Sequence, residues 1–206
     1  MTALTLYGTE LSGHVHRVRL LLAMLGLSAA WKTADADVRK SADFLALNPL
    51  GQVPVLVDGE DVITDSNAIL IWLVKRYAPD SQWLPQDRYQ EVQVHQWLGK
   101  AAGEIRYGVA SARLIKQFGT PENYASAVAV SRKFLPQMEA HLRGKSWLVG
   151  DSSTLADLAC YAYVACAPEG GISLRDYPAI RQWLQNVESL PGFIALPSLP
   201  HPEEAE

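Results

Sequence analysis

The segment at residues 48–56 (Asn-Pro-Leu-Gly-Gln-Val-Pro-Val-Leu) constrains the fold of this chain more than any other. Pro54 stands at the beginning of an apolar, β-branched run that ends at Val57, and such a run predicts a strand. Because proline has no amide hydrogen, at the start of a strand it leaves the preceding peptide edge free for another partner. An Asp-Gly turn signal then lets residues 62–63 pair back as a hairpin. The segment therefore predicts a loop that delivers Pro54 to the start of a strand.

A helix start follows the predicted hairpin, in the sequence Asp65-Ser66-Asn67-Ala68-Ile69. The first amides of a helix are unpaired, and its partial positive charge is worth roughly 0.3–1 kcal/mol to an exposed anion. Ser66 can bind a carboxylate with its hydroxyl and amide, while Asp65 can pair with a neighbouring ammonium. An ordinary helix cap is the alternative, and for an isolated Asp-Ser pair it is the better explanation. Together with the preceding loop, the pair would suit a small zwitterionic peptide.

The first third of the chain follows the order β-α-β-α-β-β-α. The pattern of apolar residues predicts strands at 3–7 and 29–33, helices at 14–25 and 43–47, the hairpin within 53–63, and a helix from Asp65 to about Tyr77. A strand, a helix, a strand and then a hairpin followed by a helix is the order of a thioredoxin-like layer.

Residues 79–88 form the best candidate linker, because they contain two prolines and residues of mixed polarity. No convincing strand follows. Helices are predicted at 89–118, 121–142, 154–166 and 177–189, and Thr154 with Asp157 forms a start like a capping box. The predicted fold class is α/β followed by all-α: an N-terminal thioredoxin-like domain at 1–80 and an all-helical C-terminal bundle at 87–206.

Charge and hydropathy narrow the classes of function. The net charge is −4 with no dominant basic stripe, which argues against nucleic-acid binding. The apolar runs are too short or too broken for a membrane span, and the N-terminus lacks the pattern of a signal peptide. A cytoplasmic protein that binds neither nucleic acid nor membrane is the resulting expectation.

The chain has two cysteines, Cys160 and Cys166. Six residues apart on a helix, they would point in different directions and could not easily form a disulfide. The first 159 residues contain no cysteine. Any sulfur chemistry in the predicted thioredoxin-like domain must therefore come mainly from a bound thiol.

Three segments in this order and spacing resemble the cytosolic glutathione transferases, and the likeness extends over the whole chain: residues 48–56, residues 65–69, and Ser-Thr-Leu-Ala-Asp-Leu at 153–158. The details resemble bacterial members of the serine type. The resemblance implies glutathione as co-substrate, a small electrophilic acceptor, no permanent cofactor or metal, and a homodimer. It implies addition of glutathione to electrophiles or reduction of peroxides. A non-catalytic glutathione-binding carrier of the same fold is the alternative.

The resemblance also assigns the glutathione-binding residues. In the family the proline at position 54 is cis, and the backbone of the preceding residue, Val53, pairs with the cysteinyl unit of glutathione. Asp65 and Ser66 would bind the γ-glutamyl end, although family members more often carry Glu in place of this Asp. The glycyl carboxylate would be bound by Gln52, Arg39 and Lys40; a solvated charged turn is the alternative for the two cations.

Ser12 is the predicted catalytic residue. It precedes the first helix, where an O–H donor and the helix dipole together favour a thiolate over a thiol. In serine-type members of the family a serine occupies this place and takes no covalent part. Tyr7 and Thr9 are the alternatives, and a simple helix cap is compatible with the catalytic role. Because position 12 is not a cysteine, the chain cannot form a mixed disulfide there.

The second substrate is expected between the two domains. The candidate residues for this acceptor site are Tyr7, His14, Ile105, Arg106 and Arg113, with Ala101, Ala102, Tyr107 and Val109 as further lining. Apolar residues at helical spacing are more often simply core. His14 and His16 would diverge on a helix and do not make a metal pair.

Overall fold

The computed structural model describes residues 3–202 of the chain. Among these residues no helix combines the length and the apolar character that a membrane span needs. The chain divides into two compact units. The first comprises the residues up to Ser81 together with Pro191–Pro197, and the second comprises Gln82–Leu190 together with the described residues from Ser198 onward.

The first unit is built on a mixed sheet. Within the described residues its strands are β1 (Leu4–Gly8), β2 (Ala29–Thr33), β3 (Val55–Asp58) and β4 (Asp61–Thr64), in the order β2-β1-β3-β4. β1 pairs with β2 in parallel and with β3 in antiparallel, and β3 and β4 form the predicted hairpin. This is the thioredoxin-like layer that the element order predicts.

The helices of the first unit are α1 (Gly13–Met24), α2 (Ala42–Leu47) and α3 (Ser66–Tyr77), and a 3-10 turn (Val38–Lys40) precedes α2. α1 packs against α3. Phe44 of α2 belongs to a separate apolar cluster with Ala34 and Val55, and Tyr7 and Val53 pack against that cluster. The predicted bounds of these helices are confirmed to within about two residues.

The segment Pro191–Pro197 also belongs to the first unit, although it lies more than 100 residues beyond the rest of that unit in sequence. The ring of His16, on α1, binds the carbonyl oxygen of Ile194 through Nε2 at 2.7 Å. The His16 side chain is only 1% exposed. This contact fastens the segment to α1.

All the regular secondary structure among the described residues of the second unit is helical. It contains α4 (Arg88–Lys100), a π-helical segment (Ala101–Ala110), α5 (Ser111–Phe118), α6 (Tyr124–Leu142), α7 (Leu155–Ala165), a 3-10 turn (Ala167–Gly170) and α8 (Pro178–Glu188). Thr154 and Asp157 form a complete capping box at the start of α7, as predicted. Cys160 and Cys166 are both buried and form no disulfide with each other. Burial is the main cause that raises the pKa of Cys166 to about 12.

The prediction of one continuous helix over 89–118 is wrong. Its middle is π-helical, and Gly108 breaks the helical geometry with φ −95° and ψ −106°. A Cβ atom on Gly108 would lie 2.9 Å from Ser131 Oγ, so the bare glycine lets α6 approach closely. The local sequence does not reveal this break, because the cause is a neighbouring helix.

Candidate functional site

The strand register brings the predicted site segments to one end of the sheet. Tyr7 of β1 lies opposite Val55 of β3, and Val55 lies opposite Thr64 of β4. The C-terminal end of β1, the N-terminal end of β3 and the C-terminal end of β4 therefore coincide. We call this the polar end of the sheet and define it by the residues Ser12, Val53, Pro54, Asp65 and Ser66.

Val53 and Pro54 occupy the entry to β3. Their peptide bond is cis, as the family resemblance implies, and Pro54 is buried. The Val53 side chain packs against the cluster around Phe44, so its main chain is what borders the polar end. The preceding loop is fixed by Asn48, which is 5% exposed: its Nδ2 donates to the carbonyl of Gln52 at 2.8 Å. The Gln52 side chain itself is exposed.

Asp65 caps α3 in an unusual backbone conformation. Its φ is +68°, which makes it the one non-glycine residue with positive φ among residues 3–202. Such a conformation costs about 1–3 kcal/mol and is found most often at functional sites. Its Oδ1 accepts from the amides of Asn67 at 2.9 Å and Ala68 at 3.0 Å. Because both bonds use one oxygen, the exposed carboxylate keeps its second oxygen for a ligand.

Ser66 is the first residue of α3 and is only 4% exposed. Its hydroxyl accepts from Arg17 Nη1 at 3.2 Å and lies 3.3 Å from His14 Nδ1. Arg17 also donates to the side chain of Asn67 at 2.9 Å. No motif in the sequence predicts a role for Arg17 or Asn67. Placed next to Ser66, His14 borders the α3 side of the polar end.

Ser12 is the N-cap of α1. Its backbone is extended, its Oγ accepts from the amide of Val15 at 3.3 Å, and its side chain is half-buried. As a cap it uses a lone pair, so its O–H remains a donor. Gly8 sets its position: a Cβ there would lie 2.5 Å from Val15 Cγ1, and only glycine lets the end of β1 approach the first turn of α1 so closely.

The two alternatives to Ser12 have different surroundings. The Tyr7 ring makes an edge contact with Phe44, with ring centroids 6.0 Å apart, and therefore has a packing role beneath α2. Thr9 is half-buried in the turn before α1, where its carbonyl accepts from the Ser12 amide at 3.3 Å.

Arg39 and Lys40 lie in the 3-10 turn before α2. Arg39 Nε donates to the carbonyl of Asp35 at 3.2 Å, and the Lys40 side chain is exposed. With Leu50 and Gly51 they line a surface depression of about 350 Å³ beside the loop that leads to Pro54. The two cations therefore flank the same loop as Gln52.

The candidates for the acceptor site in the second unit are largely engaged by other protein groups. Ile105 is fully buried. Arg113 is 1% exposed and pairs with Glu169 at 2.5 Å, while Arg106 pairs with Glu122 at 3.0 Å. This last pair lowers the pKa of Glu122. Ile105 and Arg113 therefore present no surface to a ligand within this unit.

Comparison with known proteins gives a consistent result. The family model described as "Glutathione S-transferase, N-terminal domain" matches residues 6–81, and the model described as "Glutathione S-transferase, C-terminal domain" matches residues 104–191. Glutathione S-transferase 3 of Zea mays is 30% identical over 224 aligned positions, which cover 100% of both chains. Glutathione S-transferase theta-2 of Mus musculus is 32% identical, over 79% of this chain and 72% of its own length.

Solved structures agree with these sequence relatives. The crystal structure of a glutathione S-transferase from Pseudomonas fluorescens superposes with a TM-score of 0.88 at 34% identity, covering 95% of this chain and 99% of that one. A glutathione transferase homolog from Drosophila mojavensis, solved with bound glutathione, gives a TM-score of 0.83 at 26% identity, covering 93% and 90% of the two chains.

Proposed function

Since the chain belongs to the glutathione S-transferase family, we propose that it binds reduced glutathione at the polar end of the sheet and activates the thiol for addition to electrophilic small molecules. The observation that carries this proposal is the strand register. It brings a helix-capping serine, a cis proline and a capped helix start with an exposed carboxylate to the same end of one sheet.

The two ends of the tripeptide have separate partners. At the γ-glutamyl end, the ammonium pairs with the free oxygen of Asp65, and the carboxylate accepts from the amide and hydroxyl of Ser66 at the positive end of α3. At the glycyl end, the carboxylate meets Gln52, Arg39 and Lys40, which border one loop.

Between the two ends, the backbone of Val53 pairs with the cysteinyl unit. An extended peptide that adds to a free strand edge in this way gains main-chain hydrogen bonds. The cysteinyl sulfur then lies on the side of the sheet end where β1 turns into α1, next to Ser12.

Ser12 donates its O–H to the glutathione sulfur and stabilises the thiolate. The partial positive charge at the start of α1 acts in the same direction, so the pKa of the bound thiol falls below its free value of about 8.5. The thiolate attacks the electrophilic carbon and a C–S bond forms. At an aryl halide the halide then leaves with its bonding electron pair, and at an activated double bond the π electrons take up a proton. The enzyme contributes position and charge stabilisation and forms no covalent bond.

Reduction of a peroxide by the same thiolate is a second reaction of this site. The sulfur attacks one peroxide oxygen, the O–O bond breaks, and the other oxygen leaves as an alkoxide or hydroxide that takes up a proton. A second glutathione then reduces the resulting sulfenic acid to give oxidised glutathione and water. A carrier that binds glutathione without turnover is the remaining alternative. Ser12 Oγ accepts from the Val15 amide and can still donate its O–H to the proposed thiolate, which supports the enzyme over the carrier.

A homodimer in the cytoplasm is part of the proposal, on the ground of family membership. The contacts would come from α3 and α4. α3 lines a depression with Ala68, Ile71 and Trp72, and α4 exposes Tyr89 and Val92. Sedimentation should then report about twice the mass of one chain.

The decisive variant is Ser12→Ala. Loss of one hydrogen-bond donor to a developing charge typically costs about 100-fold in kcat. We expect such a fall in turnover of an activated aryl halide, while the dissociation constant for glutathione changes less than about threefold, because the tripeptide's two ends are held elsewhere. Steady-state kinetics measures kcat, and calorimetric titration measures the dissociation constant. The ultraviolet absorbance of the bound thiolate against pH measures the thiol pKa, which should rise in the variant.

Asn123→Ala is the matched control. Asn123 caps α6 in the second unit and accepts from the amide of Ser126 at 2.9 Å. Asn123→Ala therefore removes a comparable helix cap and leaves the residues of the polar end unchanged. Full activity in Ser12→Ala would transfer the catalytic role to Tyr7 or Thr9. Glutathione binding by the wild-type protein without turnover of any electrophile or peroxide would favour the carrier.

A further inference from the structure

Arg17 is a fully buried arginine beneath the polar end of the sheet. It lies on the second turn of α1 and is 0% exposed, which places it among the largest fully buried side chains of the described residues. Removing a guanidinium from water is costly unless the protein replaces its hydration with hydrogen bonds. The contacts of Arg17 therefore indicate what its charge is used for.

Two of these contacts are with the first turn of α3. Arg17 Nη1 donates to Ser66 Oγ at 3.2 Å and to Asn67 Oδ1 at 2.9 Å. Ser66 and Asn67 are the first two residues of α3, directly after the cap Asp65. One nitrogen thus ties α1 to the helix start at which the γ-glutamyl carboxylate is proposed to bind.

The bond from Arg17 restricts the orientation of the Ser66 hydroxyl. That oxygen has two lone pairs and one proton. Because it accepts from Arg17, its own proton points away from the guanidinium. His14 Nδ1, at 3.3 Å, and a bound carboxylate are then the acceptors within its reach. The guanidinium also adds a full positive charge behind the partial charge of the α3 N-terminus.

We propose that Arg17 is a positioning residue for the γ-glutamyl carboxylate of glutathione. It acts through Ser66 and Asn67, and the buried side chain need not touch the ligand. This inference rests on the proposed function. A lysine would keep the charge, but its ammonium lacks the planar geometry of the guanidinium and would hold the two partners less well.

The test compares Arg17→Met and Arg17→Lys with the wild-type protein. We expect Arg17→Met to raise the dissociation constant and KM for glutathione about tenfold, since both bonds from Nη1 to the first turn of α3 are lost and the Ser66 hydroxyl is no longer oriented. The value of kcat at saturating glutathione should change less than about twofold, because Ser12 is untouched. Arg17→Lys should fall between the two proteins.

Arg19→Met is the matched control, because Arg19 lies on the same helix and stacks over the exposed Trp31 ring at 5.4 Å, away from α3. Its dissociation constant for glutathione should stay within about twofold of wild type, since no bond to the carboxylate site is lost. A tenfold rise in this control as well would overturn the inference, because loss of any α1 cation would then have the same effect.

A glutathione analogue without the γ-glutamyl α-carboxylate separates positioning from a general structural role. It should bind weakly and with equal affinity to wild type and Arg17→Met. A structural defect would make the variant bind the analogue more weakly than wild type does, and that result would overturn the inference. If Arg17→Met fails to fold, Asn67→Ala replaces it in the test, because it removes one hydrogen-bond partner of the guanidinium. We expect the dissociation constant for glutathione to rise about threefold and that for the analogue to stay unchanged.

The two hypotheses fail differently. If wild-type protein binds no glutathione, the proposed function is wrong and the inference fails with it. If wild type binds glutathione and the folded Arg17→Met variant binds it equally well, the inference alone is wrong.

Discussion

The two units each contain a helix that starts with a hydroxyl and a carboxylate, and the two starts differ in the direction their polar groups face. α7 begins at the capping box of Thr154 and Asp157, and Asp157 is 0% exposed. α3 begins at Asp65 and Ser66, where the carboxylate is exposed and the backbone of Asp65 has a φ of +68°.

At α7 the protein itself supplies the partners. Asp157 accepts from the amide of Leu148 at 3.0 Å, the amide of Thr154 at 2.8 Å and the indole of Trp183 at 2.8 Å. Burial nevertheless raises the pKa of Asp157 above its usual range. Through these bonds the start of α7 is linked both to the connection between α6 and α7 and to α8. It therefore contributes to the stability of the fold.

At α3 some hydrogen-bonding groups of the helix start remain accessible to solvent. One oxygen of Asp65 caps the helix and the other faces solvent, while Ser66 is held from below by Arg17. The same local chemistry therefore serves folding where it is enclosed and is proposed to serve binding where it is open.

Asp157→Ala should have the largest effect on stability. Removing the buried carboxylate leaves four donors without it, the three above and the Thr154 hydroxyl at 3.3 Å. We expect a loss of about 3–5 kcal/mol in the free energy of unfolding. Urea denaturation measures it. The folded fraction should bind glutathione with unchanged affinity. A variant that keeps its stability but loses glutathione binding would break the contrast between the two helix starts.

His16 provides an enclosed group within the first unit. The pKa of His16 is lowered to about 4, and burial is the main cause. The hydrogen bond to Ile194 opposes this shift. The unfolded chain binds this proton near pH 6.5 and the folded protein does not. The contribution of neutral His16 to the free energy of unfolding is thus complete above pH 6.5. It is lost as pH falls toward 4, and the total loss is about 3 kcal/mol.

Denaturation series in urea from pH 7 to pH 4 test this effect. His16→Gln should remove that part of the pH dependence, while His95→Gln, at an exposed position, should retain it. An unchanged slope in His16→Gln would show that other groups control the acid sensitivity of the first unit.

Asp65→Asn should change binding with little change in stability. Asparagine keeps a cap oxygen and tolerates positive φ, so the free energy of unfolding should stay within about 0.5 kcal/mol. Loss of the charge that pairs with the ammonium should weaken glutathione binding about tenfold. Asp87→Asn is the control, because Asp87 caps α4 with the same pair of bonds, to Tyr89 at 3.1 Å and Gln90 at 2.9 Å. Equal binding by the two variants would remove Asp65 from the site.

Local patterns in the sequence predicted most of the elements, because caps, turn signals and apolar spacing act within a few residues. The hairpin, the capping box at Thr154 and the helix from Asp65 are examples. The burial of Arg17 was not predicted, since a single arginine on a helix is usually solvated and its partners lie about 50 residues away. The attachment of Ile194 to His16 spans 178 residues and leaves no local signal.

The proposed function depends on glutathione binding at the polar end of the sheet. Calorimetric titration of the wild-type protein with reduced glutathione tests it most directly. We expect saturable heat with one site per chain and a dissociation constant between about 1 μM and 1 mM. No heat of association up to about 10 mM glutathione would contradict the claim.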